Sequence, residues 1–212
     1  ASIESMAIAC HITRKSREWL MAHPETSIPG LQLNKMEALL ERLLNGEPLA
    51  YLTGKRSFYG LDFEVNEHVL IPRPETELLV ELAVKWLNDH PGRRNLVDIG
   101  TGSGAISCAV AVKVPDVQIL ATDLSAAALK VARKNAITHQ VANRMQFRKN
   151  DLLSGIDDKF DLLLSNPPYI PTGELDQLAV ARYEPGLALD GGKNGMQLIK
   201  NLLAQSAKNV LP

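Results

Sequence analysis

Two short stretches of this chain carry residue types that can do chemistry. The first is residues 95–105. Apolar Leu96, Val97 and Ile99 flank Asp98, and Gly100-Thr101-Gly102-Ser103-Gly104-Ala105 follows. A buried strand that runs through a glycine-rich turn into an apolar helix lets the backbone approach a ligand closely. It also turns the unpaired N–H groups of the helix start toward that ligand. The second stretch is Asn166-Pro167-Pro168-Tyr169, placed after the apolar strand at 160–165. The first suggests a nucleoside-type cofactor, and the second suggests an amino group held beside it.

A glycine-rich turn alone is a weak signal, although Gly100-x-Gly102-x-x-Ala105 fits the dinucleotide fingerprint. Asp123 strengthens it. This residue ends the second strand, 25 positions after Asp98, where a carboxylate can accept both hydroxyls of a ribose lying across the strand ends. The spacing does not separate NAD from S-adenosylmethionine, because both have a ribose there. Asp151 follows the third strand, again at a carboxyl end. It suits either an adenine amino group or an ordinary turn.

Asn166 to Tyr169 narrows the chemistry. An exocyclic or amide nitrogen has a delocalised lone pair and is a poor nucleophile. The Asn166 side-chain oxygen and the Pro167 carbonyl can each accept one of its N–H groups, fixing the nitrogen and turning its lone pair toward an electrophilic methyl group. Pro167 and Pro168 stiffen the backbone, since each ring fixes its own φ. Tyr169 offers a flat face for a planar amide or base. The five histidines are scattered without ligand spacing, and this chemistry calls for no metal.

The elements that must position these residues follow from periodicity. Residues 2–22 read as one helix, with Ile3, Met6, Ala7, Cys10, Arg14 and Arg17 at helical spacing. Asn34 with Glu37 reads as an N-cap and its partner. Met36, Leu39, Leu40, Leu43 and Leu44 then form an apolar stripe of the kind that faces a core. Residues 57–66 alternate with period two around Tyr59-Gly60, the pattern of a small hairpin. Ile71-Pro72-Arg73-Pro74-Glu75-Thr76-Glu77 reads as a stiff entry into a helix that turns Leu78, Leu79, Leu82, Ala83, Trp86 and Leu87 inward. From residue 95, strands near 95–99, 117–122, 144–149 and 160–165 alternate with helices near 104–114 and 125–139, the latter capped by Ser125. A loop over 166–192 precedes a last helix at 194–209. Alternation of this kind means a parallel α/β sheet.

Composition limits the partners. The formal net charge is −1, with 45% hydrophobic and 22% charged residues. Residues 1–70 carry seven Lys/Arg against nine Asp/Glu, and the rest carries 16 against 15. A nucleic-acid substrate calls for a basic face, so this balance weighs against one. Cys10 and Cys108 form no disulfide framework, and a reducing, cytoplasmic setting is expected. The longest apolar run is too short to span a bilayer, so no membrane partner is expected.

The segment Asp98-Ile-Gly-Thr-Gly-Ser-Gly-Ala105 resembles the first motif of class I S-adenosylmethionine-dependent methyltransferases, and Asn166-Pro-Pro-Tyr169 is similar to the amino-methylating subset. Together with Gly46-Glu-Pro-Leu-Ala-Tyr-Leu-Thr-Gly54 and the 71–77 stretch, the chain resembles the release-factor glutamine methyltransferase family from roughly Ala7 onward. The resemblance implies a Rossmann-like, doubly wound α/β fold behind a small helical domain. It implies domains at 1–55 (helical, docking the substrate), 56–70 (a hairpin linker) and 71–212 (the methyltransferase domain). It implies S-adenosyl-L-methionine as cofactor and, as substrate, the Gln of the Gly-Gly-Gln motif of peptide chain release factors. Asp98, Gly100, Thr101, Gly102, Ser103, Gly104, Asp123, Asp151, Leu152 and Asn166 would bind the cofactor. Asn166, Pro167, Pro168 and Tyr169 would hold the glutamine, with Asn166, Pro167 and Tyr169 as the catalytic set. Leu152 stands where the family often has an aromatic residue.

The family sheet has seven strands and the pattern here supplies four, so the chain reads as truncated at its C-terminus and at its N-terminus. A further strand is expected to begin just beyond Pro212 and pair beside residues 160–165. The competing readings are an amino-methyltransferase acting on a ribosomal-protein glutamine or on adenine or guanine of nucleic acid, and a non-catalytic cofactor-binding fragment. A nicotinamide dehydrogenase is the weakest, because it gives Asn166–Tyr169 no role.

Overall fold

A computed structural model describes residues 3–211 of the chain. The chain divides into two compact units, with the division between Lys55 and Arg56.

The first unit is helical: α1 (Ile3–Thr13), α2 (Arg17–Ala22), α3 (Gly30–Leu44) and α4 (Leu49–Thr53). The single helix expected over 2–22 is two helices, and residue 2 lies outside the described residues. Arg14 adopts a left-handed φ of 60° and breaks the run. Ser16 then caps α2 by accepting from the Trp19 N–H at 3.2 Å. Asn34 is not an N-cap, because α3 already starts at Gly30, directly after Pro29. A proline there has its φ preset and no N–H to lose, so the helix starts as soon as it can. The stripe on α3 is only partly covered, and Leu44 is 86% exposed. Leu49–Thr53 adds a short helix that the sequence reading left out, closed by Gly54 at φ 70°.

The second unit begins within β1 (Lys55–Phe58), which forms a hairpin with β2 (Leu61–Glu64). Tyr59 and Gly60 take φ of 52° and 73°, the two left-handed residues that a tight two-residue hairpin turn requires. Phe58 and Phe63 are buried and meet edge-to-face, 6.1 Å apart. They pack into the same core as Val80, Leu87 and Leu96. A 3-10 turn at Pro74–Thr76 leads into α5 (Glu77–Asp89). Its inward face differs from expectation. Val80, Ala83 and Leu87 are buried, while Leu78 and Leu82 point outward, 58% and 55% exposed. The buried three lie at i, i+3 and i+7, one stripe of a 3.6-residue helix. Burying each of the larger two side chains contributes about 1.5–3 kcal/mol.

The strands β3 (Asn95–Ile99), β4 (Gln118–Asp123), β5 (Met145–Lys149) and β6 (Leu162–Ser165) form one sheet in the order β5-β4-β3-β6, with every neighbouring pair parallel. The helix α6 (Ala105–Lys113) follows β3, α7 (Ala126–Thr138) follows β4 and α8 (Gln197–Asn209) follows β6, while β5 runs to β6 without a helix. Ser125 caps α7 as expected, accepting from Ala128 N–H at 3.1 Å. The strand order reverses between β3 and β6, and in such sheets ligands bind in the crevice at the carboxyl ends of the strands beside that point. Asp161 ties the far ends together: its carboxylate accepts the N–H groups of Arg94 and Asn95, each at 2.9 Å, and faces the Arg93 guanidinium.

The segment at 166–192 is not featureless. It holds 3-10 turns at Thr172–Gln177, Ala179–Arg182 and Gly186–Ala188, and α8 starts at Gln197 rather than 194. The pairing expected beyond Pro212 already begins before it. Val210 bridges Phe160 in parallel, with Leu211 N–H donating to the Phe160 carbonyl at 2.9 Å. Among the described residues no helix is long and apolar enough to cross a membrane.

Candidate functional site

The glycine turn leaves β3 with Gly100, Gly102 and Gly104 all in the left-handed region, at φ 70°, 56° and 76°. These glycines do different work. A Cβ on Gly100 would meet nothing within 4 Å and one on Gly102 only a backbone oxygen at 4.0 Å, so side chains there would project into open space. A Cβ on Gly104 would lie 3.0 Å from the Ala132 Cβ of α7. Gly104 therefore serves helix packing and is absent from the cavity wall.

Asp98 also differs from its expected place. It is fully buried under the turn and does not line the cavity. Its Oδ2 accepts from the hydroxyls of Thr101, at 2.7 Å, and Ser107. Its Oδ1 has no hydrogen-bond partner. Burial pushes the Asp98 carboxyl up to about 6, the Ser107 and Thr101 hydrogen bonds pull against that, and the charge of Asp123 adds to it. A folded-state value above the ordinary 3.8 means that the folded chain holds the proton more tightly than the unfolded one. This contribution to stability is complete below 3.8 and is lost as pH rises through about 6. Melting temperatures taken at about pH 4.5 and about pH 7 should therefore diverge more in the parent than in Asp98→Asn. Asp123 shifts in the same direction and is present in both proteins. Equal differences would take the titration away from Asp98.

Asp123 ends β4, beside the turn. Its Oδ2 accepts the Gly102 N–H at 2.9 Å and its Oδ1 the Ser125 N–H at 2.8 Å. Each oxygen has a further lone pair to offer, and Asp123 lines the cavity. Burial raises its carboxyl above the usual range, against the backbone N–H bonds from Ser125, Gly102 and Leu124. Asn135, which has no local signal in the sequence, holds the turn from behind. It is buried on α7, donates to the Ser103 carbonyl at 2.8 Å, and exchanges hydrogen bonds with the backbone of Glu64.

A cavity of about 530 Å³ lies over these strand ends. Gly100, Thr101, Gly102, Ser103, Asp123, Asp151, Leu152 and Asn166 all line it. Leu152 has a φ of 49°, and the Asn150 amide donates to its carbonyl at 3.0 Å. The open space above Gly100 and Gly102 and the doubly held carboxylate of Asp123 suit a nucleoside with a free ribose, so the residues present fit S-adenosylmethionine.

A second hollow of about 600 Å³ is also lined by Asn166. Pro167, Tyr169, Leu78 and Leu82 line it, and Tyr169 is 65% exposed there. Leu70, Arg73, Thr76, Asn166, Pro168 and Ala188 line both hollows. They form the wall between the two, and Asn166 stands in it.

The stretch at 71–77 is more than a helix entry. Arg73 pairs with Glu184, a buried residue of the long loop whose other oxygen accepts the Ile71 N–H at 3.0 Å. Asn166 Nδ2 donates to the Thr76 hydroxyl at 3.3 Å. Glu77 accepts the Tyr59 N–H at 2.9 Å, and the Pro72 carbonyl accepts from Arg56 at 3.2 Å. Glu184 had no local signal in the sequence. Gly191 did carry one, as half of a glycine pair. A Cβ there would come within 2.7 Å of the Tyr169 Cα, so the loop packs directly against the Asn-Pro-Pro-Tyr backbone.

Residues 1–54 match the PrmC N-terminal domain, and residues 75–183 match the Methyltransferase small domain. A release factor glutamine methyltransferase from Xylella fastidiosa (strain 9a5c) is 40% identical over 99% of this chain and 76% of its own length. The chain belongs to the release factor glutamine methyltransferase family. One from Bordetella pertussis is 39% identical over 99% of this chain and 78% of its own. A bifunctional methyltransferase from Rickettsia bellii is 35% identical over 99% of the chain, which spans only 42% of that relative's length. The fold is also that of the hMettl16 catalytic domain, solved with a MAT2A 3′UTR hairpin. The TM-score is 0.56 and identity 19%, over 72% of this chain and 59% of that one. Family membership makes this a class I methyltransferase fold that uses S-adenosylmethionine.

Proposed function

We propose that this chain transfers a methyl group to the side-chain amide nitrogen of the Gln in the Gly-Gly-Gln motif of peptide chain release factors. The carrying observation is that Asn166 stands in the wall shared by two hollows. The inner hollow suits the cofactor, and the outer one admits a side chain from a protein surface. When bound, S-adenosylmethionine supplies an electrophilic sulfonium methyl group. Gly100 to Ser103 would line its methionine and ribose side, Asp123 would accept the ribose hydroxyls, and Asp151 and Leu152 would border the base. Asp98 and Gly104 support the turn from beneath.

From the outer hollow, the Asn166 Oδ1 and the Pro167 carbonyl accept the two N–H groups of the glutamine amide, while Tyr169 covers its flat face. Neither oxygen is a base at neutral pH, so both orient. The nitrogen so oriented would take the methyl group that S-adenosylmethionine supplies, leaving S-adenosylhomocysteine, and would give up one proton to water. Orientation of this kind supplies most of the rate gain in such transfers. Residues 1–55 form the docking unit for the release factor, a reading supported by the match to the PrmC N-terminal domain. Release factors act in the cytoplasm, which is then the compartment of this chain.

The test is a tritiated-methyl transfer assay offering release factor, tRNA, rRNA and DNA side by side. Label should enter release factor alone and vanish when its Gly-Gly-Gln glutamine is replaced. Label in a nucleic acid, or label that survives the replacement, would overturn the assignment.

A further inference from the structure

We propose that Thr76 is the positioning residue for Asn166, holding its amide in place through the Nδ2 bond so that Oδ1 is left for the acceptor nitrogen; this rests on the glutamine reading of the outer hollow. A carboxamide presents an acceptor at one end and two donors at the other, in nearly the same shape. Only the Oδ1 end can accept an N–H from a glutamine amide. Turned by half a rotation, Asn166 would set donors against donors. In the structure Asn166 Nδ2 donates to the Thr76 Oγ1 at 3.3 Å, which leaves Oδ1 on the other side.

Thr76 is itself held firmly. It closes the 3-10 turn Pro74–Thr76, with its N–H donating to the Arg73 carbonyl at 3.1 Å. Upstream, Arg73 is paired with Glu184, whose side chain is 2% exposed. Downstream, Glu77 is bonded to the hairpin at Tyr59. The hydroxyl thus sits between two anchors, one on the loop that follows Asn166 and one on the core. This gives the Pro-Arg-Pro-Glu-Thr-Glu stretch a task in transfer that reaches the nitrogen only through Asn166.

The experiment compares the parent with Thr76→Val, Thr76→Ser, Asn166→Ala and the double variant Thr76→Val/Asn166→Ala. Methyl transfer to release factor is read as separate kcat and KM, and S-adenosylhomocysteine affinity by calorimetry. Thr76→Val should lower kcat about tenfold, as expected for a misoriented positioning group, a loss much larger than any change in cofactor-product affinity. Thr76→Ser should restore it, and the double variant should be no slower than Asn166→Ala, the mark of two residues acting as one unit. The Asn166 side-chain NH₂ resonances should shift in Thr76→Val, a readout independent of turnover. Parent-like kcat in Thr76→Val beside a slow Asn166→Ala would overturn this proposal alone, as would losses that multiply in the double variant. Parent-like transfer by Asn166→Ala would overturn the glutamine reading and this proposal with it.

Discussion

Replacing Asn166 with Ala should lower methyl transfer to release factor on the order of a hundredfold, or about 3 kcal/mol of barrier, while cofactor affinity changes little. The reason is geometric. Asn166 follows β6 directly, and Ser165 before it donates to the Ile99 carbonyl at 2.9 Å, so the end of β6 is tied to the end of β3. From that fixed point the side chain reaches the wall between the two hollows. Alanine there leaves the wall standing and removes one of the two acceptors proposed to hold the nitrogen. A planar amide held by one acceptor is free to rotate its lone pair out of line. The loss should therefore fall on kcat more than on binding. Single-turnover rates with saturating cofactor would measure it. A variant that turns over as fast as the parent would remove Asn166 from the transfer step.

Asp123→Ala should weaken S-adenosylhomocysteine binding by about 1–3 kcal/mol, the usual cost of losing hydrogen bonds to a charged group. Two effects add. The ribose hydroxyls would lose their proposed acceptor, and the Gly102 and Ser125 N–H groups lose theirs, at 2.9 and 2.8 Å. The second effect loosens the turn that lines the rest of the cavity. Asp123→Asn keeps one acceptor oxygen of the two, so it should fall between parent and Asp123→Ala. Calorimetry on the three proteins gives the order directly, and an unchanged affinity in Asp123→Ala would place the ribose elsewhere.

What the sequence by itself determined is what has a local cause. The strand–glycine turn–helix at 95–105 follows from apolar spacing and from three glycines, each of which is left-handed in the structure. The hairpin at Tyr59-Gly60, the Ser125 cap and the parallel alternation of strands and helices were legible for the same reason: each is written in neighbouring residues. So was the motif at Asn166, because its rigidity is built into Pro167 and Pro168.

Only the tertiary structure decided which of those residues face the crevice. Apolar spacing could not tell that Gly104 touches Ala132, or that Asp98 lies under the turn with one oxygen unpartnered. The inward face of α5 depended on where the helix met the sheet, which turned Val80 in and Leu78 out. The bond from Asn166 to Thr76 spans 90 residues, and the one from Arg73 to Glu184 spans 111. Pairings at that distance leave no periodic trace, because nothing near either residue changes until the chain has folded and brought the loop over the strand ends.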